Sequence, residues 1–198
     1  MLRSLSRLAL VAATLVPGVA LAHTGVGATG GFVHGFAHPI GGLDHVLAMV
    51  LVGVFAWQLG GRALWLVPAV FVGVMALGGI LGVAGMDVPF VEVGIALSVV
   101  VLGAVVAIGV KAPVAVAMAL AGLFAIFHGH AHGAEMPETA AGAAYGLGFM
   151  LGTALLHLVG IGLGYVIGSL GNRYGQIVTR AAGGVAALAG VAILTGIL

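Results

Sequence analysis

His34-Gly35-Phe36-Ala37-His38-Pro39-Ile40-Gly41-Gly42-Leu43-Asp44-His45-Val46-Leu47-Ala48-Met49 places three histidines and an aspartate at the mouth of a long apolar run that continues to Trp57. Nothing in water demands that arrangement. In hydrocarbon each such group is costly unless it is paired, wetted or ligating. The stretch therefore reads as the start of a membrane helix that opens on a metal-handling or proton-handling site. The competing reading is a set of interfacial histidines with one buried Asp-His pair that fixes helix packing.

The rest of the composition agrees with a bilayer. The chain has 198 residues, of which 62% are hydrophobic and 6% charged, a balance foreign to soluble domains. Several apolar runs are long enough to cross a membrane. They are continuous, where barrel strands would alternate. The fold class expected is all-α: a polytopic membrane protein with six transmembrane helices after a cleaved signal peptide. With no cysteine there is no disulfide and no thiolate ligand. The formal charge of +1 does not bear on nucleic acid, but no basic patch exists and that class of partner is discarded. The 36 glycines are a packing signal, because small residues let membrane helices approach closely.

Taken in order, Met1 to Ala22 has the features of a signal peptide. Arg3 and Arg7 lead, Leu8 to Val16 is the apolar core, and Ala20-Leu21-Ala22 is a small-x-small cleavage signal. Cleavage would leave His23 at the N-terminus, where its α-amine and imidazole could chelate a cation. Residues 23–37 then form an outer His/Gly-rich segment, and residues 38–198 the six-span domain. The expected spans are His38 to Leu59, Ala63 to Leu81, Phe90 to Gly109, Val114 to Phe127, Ala140 to Ser169 and Ala181 to Leu198. An unbroken first span would put His38 and His45, two turns apart, on one face. Asp44 would point elsewhere, toward a neighbouring helix.

With an exported N-terminus the odd-numbered turns face the cytoplasm. Those turns hold Arg62, Lys111, and Arg173 with Arg180, every basic residue of the mature chain. The other loops hold Asp87, Glu135 and Glu138. This satisfies the positive-inside rule. Both mature termini are then periplasmic, and both histidine clusters lie on the outer side. Those clusters echo one another as His-Gly-x-Ala-His: His34 to His38, and His128-Gly129-His130-Ala131-His132.

Imidazole is the usual ligand for nickel, cobalt, copper and zinc, and carboxylates orient it or add oxygens. The outer histidines, with deeper Asp44, His45, Glu92 and His157, would be steps along an inward path. Weak successive sites suit conduction better than one tight site. Met49 is a soft donor in reach of His45, although core packing explains it as well. Bland readings stand beside these. Residues 128–132 would be an idle polar loop, His157 a packing histidine bonded to a carbonyl, and Glu92 an interfacial cap.

At these residues the chain resembles the HupE/UreJ family of small nickel/cobalt permeases. His38-Pro39-Ile40-Gly41-Gly42-Leu43-Asp44-His45, with Met49 and Gly53 after it, carries the first motif. Phe127-His128-Gly129-His130-Ala131-His132-Gly133-Ala134-Glu135 carries the second. The resemblance extends over essentially the whole chain. It implies a bacterial inner-membrane permease that takes up nickel, with cobalt as second candidate, and supplies metalloenzyme-maturation proteins. The family's site residues fall on His38, Asp44, His45, His128, His132 and Glu135. His23, His34, Met49, Glu92, His130 and His157 are further candidates. No permanent cofactor is expected, the metal ion being cargo, and no enzymatic activity. Without a nucleotide-binding loop the chain cannot itself hydrolyse ATP. The competing class is an intramembrane zinc hydrolase, with Asp44, His45 and His157 around an activated water. A ring of histidines at the mouth is not something such an enzyme needs.

Overall fold

The computed structural model describes residues 31–136 and 141–198, and every regular element among them is helical. The signal sequence, His23 and Glu138 lie outside the described residues. The helices are α1 (Gly31–Gly41), α2 (Leu43–Leu59), α3 (Ala63–Val83), α4 (Val91–Ile108), α5 (Val114–Ala134), α6 (Ala141–Gly168) and α7 (Asn172–Leu194). Helices α3 to α7 are each long and apolar enough to cross a membrane, and α1 with α2 form a bent pair that passes the same test together.

The bent pair departs from expectation. Helix begins at Gly31, not at His38, and breaks at Gly42, where the axes turn by 83°. Two causes act together. Pro39 removes a backbone donor near the end of α1. Gly42 is extended (φ −105°, ψ 127°), a conformation that ends the helix. His38 and His45 therefore do not share an unbroken helical face. They sit on two helices that meet at an angle.

Helix α2 is the hub, packing against each of the other six described helices. Its sequence is apolar all round, as a core helix requires. Beyond Leu43 it exposes no large hydrophobic side chain, whereas α3 to α7 each expose several. Those outward side chains are the lipid-facing surface of a bundle whose interior is α2.

Small residues decide how the helices pair. The closest partnerships are α3 with α5, α4 with α7, and α1 with α6. Gly129 and Gly133 of α5 rest on the carbonyl oxygens of Met75 and Gly79 of α3, where a Cβ would collide with backbone. Lipid offers no hydrophobic drive for helix association, so such close packing carries it.

Two further boundaries shift. Helix α5 continues to Ala134, so His128, His130 and His132 lie on its last turns and not in a loop. Helix α7 begins at Asn172, which makes Arg173 and Arg180 helical. The turn between α6 and α7 shrinks to Ser169–Gly171.

Charge is segregated along the bundle. Gln58 Nε2 donates to the Val106 carbonyl (3.1 Å) and ties the C-terminal ends of α2 and α4. The Arg180 guanidinium packs against Gly109. These contacts gather Arg62, Lys111, Arg173 and Arg180 at one end. Asp44, Asp87, Glu92 and Glu135 lie at the other, with the histidines.

Candidate metal-handling site

The glycines of α5 aim its histidines. Gly129 and Gly133 lie one turn apart and are seated on α3. His128 and His132 each precede one of them, about 100° around the helix, and so face the interior beside α2. The pattern His-Gly-x-Ala-His-Gly is thus a packing face and a ligand face interleaved on one helix.

His132 is the centre of the arrangement. Its ring centroid lies 4.6 Å from that of His38, 4.4 Å from His45 and 4.2 Å from Phe149. His38 Nε2 is 3.8 Å from a Glu135 carboxylate oxygen. One donor atom from each of His38, His132 and Glu135 falls within a mutual 4.8 Å. With ligand bonds of about 2.0–2.2 Å, one divalent ion could bridge such a set after slight closure. Glu135 is exposed and His38 half-buried, so the set opens at the histidine end of the bundle.

Behind it sits His45, whose imidazole is held by the adjacent Asp44. Asp44 Oδ1 accepts from His45 Nδ1 at 2.8 Å and also from the His45 backbone N–H at 2.8 Å. Asp44 thus turns to its own neighbour and not to another helix, a correction to the sequence reading. A carboxylate can only accept, so the ring proton is on Nδ1 and the Nε2 lone pair is free. That lone pair faces His132 Nε2, 2.5 Å away. With its ring proton on Nε2, His132 donates to that lone pair; with the proton on Nδ1, two lone pairs face each other and a cation can take the proton's place.

His128, fully buried, is oriented by α4. Ser98 Oγ donates to the Ile95 carbonyl (2.6 Å), so it accepts from His128 Nε2–H at 2.9 Å. Nδ1 of His128 then carries the lone pair and meets no partner among the described residues. Its ring lies 4.8 Å from that of His45.

A family profile described as HupE / UreJ protein matches residues 11–193. The chain belongs to the HupE/UreJ family. It is 48% identical over 186 residues to Protein HupE of Rhizobium leguminosarum bv. viciae, covering 94% of this chain and 95% of that protein. No solved structure matches it. Membership of the HupE/UreJ family supports a role in metal transport, and with the apolar helices it makes this a multi-pass membrane protein.

Not every candidate residue of this HupE/UreJ chain converges. His34 is exposed at the histidine end of the bundle, its ring 5.8 Å from His38. His130 turns away, its Nε2 2.8 Å from the Met86 carbonyl in the α3–α4 loop. Glu92 is exposed on the first turn of α4. Met49 is fully buried in the hydrophobic core. His157 lies deeper on α6, 1% exposed, and neither ring nitrogen has a partner among the described residues, so it is not bonded to a carbonyl.

Three side chains of the site escaped the sequence reading. Ser98 is the only hydroxyl on α4, and a lone polar group in an apolar span was a usable signal. Tyr145 and Phe149 wall the site from α6, their rings 5.8 and 6.3 Å from His38. Nothing marks an aromatic in a membrane helix as a wall before the helices are packed.

Proposed function

We propose that this chain is a permease that carries Ni(2+), with Co(2+) the second candidate, inward across the bacterial inner membrane, and is not an enzyme. The supporting observation is the convergence of His38, His132 and Glu135 around one small volume, with His45 presented behind them by Asp44. In this reading a signal peptide is removed, six spans remain, and both mature termini are periplasmic. The metal supplies the maturation of cytoplasmic metalloenzymes.

The ion is captured at the outer end, where Glu135 and the half-buried His38 are accessible. His132 bridges capture and transfer, because its ring touches both His38 and His45. His45 and His128 then replace water as the ion goes deeper. Histidine and carboxylate without thiolate suit nickel and cobalt. A potential negative inside favours each positive charge by about 2.3 kcal/mol per 100 mV, so a passive path with graded sites is enough.

The test is uptake of radioactive nickel in cells lacking other nickel importers, with membrane levels of each variant checked. Wild type should accumulate nickel, cobalt should compete, and a His38→Ala, His132→Ala double variant should not accumulate it. Absence of uptake by well-expressed wild type, or normal uptake by the double variant, overturns the reading.

A further inference from the structure

We propose that His157, Thr153 and Met75 form a second, inner station for the transported ion, near the middle of the membrane and inward of the outer histidines. This deepens the permease reading and rests on it.

His157 carries the first argument. An imidazole always has at least one ring N–H and, when neutral, one lone pair. Buried polar groups are almost always hydrogen-bonded. His157 is 1% exposed, yet neither nitrogen has a partner among the described residues. A histidine kept unpartnered in hydrocarbon marks a place that something polar visits.

Geometry carries the second. Phe71 and Met75 lie four residues apart on α3, and Thr153 and His157 four apart on α6, so each pair shares a helix face. The two faces meet as rungs. The Phe71 ring lies 5.1 Å from His157. Thr153 Oγ1 donates to Met75 Sδ at 3.7 Å. Thr153 is fully buried, and its hydroxyl turns across to α3. Imidazole, hydroxyl and thioether therefore occupy one seam between α3 and α6, at mid-length of both helices.

Continuity carries the third. A largely apolar cavity of about 650 Å³ between α3, α5 and α6 is lined by both His132 and Met75. It touches the outer site at His132 and reaches the seam at Met75, the partner of Thr153. On the other side the Phe71 ring lies 5.8 Å from His128 and 5.1 Å from His157, so it partitions the two histidines. Three neutral donors hold a partly dehydrated divalent ion loosely. Loose holding is what a transfer station needs, since a tight inner site would stop the flow.

The experiment uses the full chain, purified in detergent and titrated with NiCl2 by equilibrium dialysis, beside uptake in cells. Wild type should bind nickel in two classes. The His38→Ala, His132→Ala variant should lose the tighter class and His157→Leu the weaker. In cells His157→Leu should lower the maximal uptake rate roughly tenfold or more, the scale of loss when a metal site is stripped of a supporting group. The concentration for half-maximal uptake should change little, because the outer site is intact. Leucine fills the same space and removes an unpartnered polar group, so thermal unfolding of the nickel-free variant should not occur earlier. His157→Phe replaces it if the leucine variant fails to reach the membrane. Two binding classes and full uptake in the His157 variant overturn the station. Loss of the weaker class in a protein whose wild type shows no uptake would keep the station and overturn the permease reading instead.

Discussion

Asp44 Oδ1 lies 2.8 Å from Nδ1 of His45, its neighbour in the chain, and so holds the His45 ring with Nε2 toward His132. Adjacent residues on a helix usually point about 100° apart. Here the short aspartate side chain bends back, accepting from the histidine ring and backbone together. The carboxylate thereby acts on the site through the imidazole. A partner of this kind typically changes metal affinity by about 10–100-fold. Asp44→Asn keeps an oxygen near the ring and removes the charge. The expected outcome is an increase of that order in the nickel concentration for half-maximal uptake, at equal protein level. Unchanged uptake would return the pair to a packing role.

Ser98 makes a corresponding prediction from α4. Its hydroxyl accepts from a fully buried imidazole. Hydrogen bonds between membrane helices average only about 0.6 kcal/mol, but orphaning one buried partner costs about 1–3 kcal/mol. The second figure applies to Ser98→Ala, because His128 would then have no partner on either nitrogen. Thermal unfolding in detergent should come at lower temperature than in wild type. A melting curve superimposed on that of wild type would show that His128 does not depend on this bond.

Much of this was legible before any fold was known. Apolar run lengths gave the helices, and the basic residues in alternate turns give an expected direction that cysteine labelling tests. His38, Asp44, His45, His128, His132 and Glu135 could be named from the cost of placing such groups in hydrocarbon and from the resemblance. The bend at Gly42 was not legible, because Gly41-Gly42 permits a break without requiring one. The partner of Asp44 was not either, since side-chain rotamers depend on packing. Reading His128 to His132 as a loop failed for a definite reason. Histidine and glycine are weak helix formers, but here the glycines are used for contact with α3, and tertiary packing overrides propensity.

That contact yields a paired prediction. At Gly129 a Cβ would collide with the Met75 carbonyl oxygen, which is backbone and cannot swing aside. Gly129→Val should therefore push α5 off α3, displace His128 and His132 together, and lower both membrane level and nickel uptake. Gly73, also on α3, has open space at its Cβ position. Gly73→Ala should be neutral or stabilising, by up to about 1 kcal/mol, because alanine suits a helix better than glycine. Equal behaviour of the two variants in a detergent melting assay would mean that close α3–α5 packing is not what positions the histidines.

Direction is the last prediction, and it follows from charge segregation. The described acidic residues lie at the histidine end of the bundle and the four described basic residues at the other. Basic residues are retained on the cytoplasmic side during insertion, so the histidine end should face the periplasm. The chain contains no cysteine, which makes single-cysteine labelling direct. His34 and Met86 are exposed at the histidine end, and Arg62 and Lys111 at the basic end. In intact spheroplasts an impermeant maleimide should label His34→Cys and Met86→Cys. Arg62→Cys and Lys111→Cys should react only after the membrane is opened with detergent. The opposite pattern would turn the histidine mouth toward the cytoplasm. The same donor geometry would then describe export, because an ion captured by Glu135 and His38 would come from inside and leave against the membrane potential.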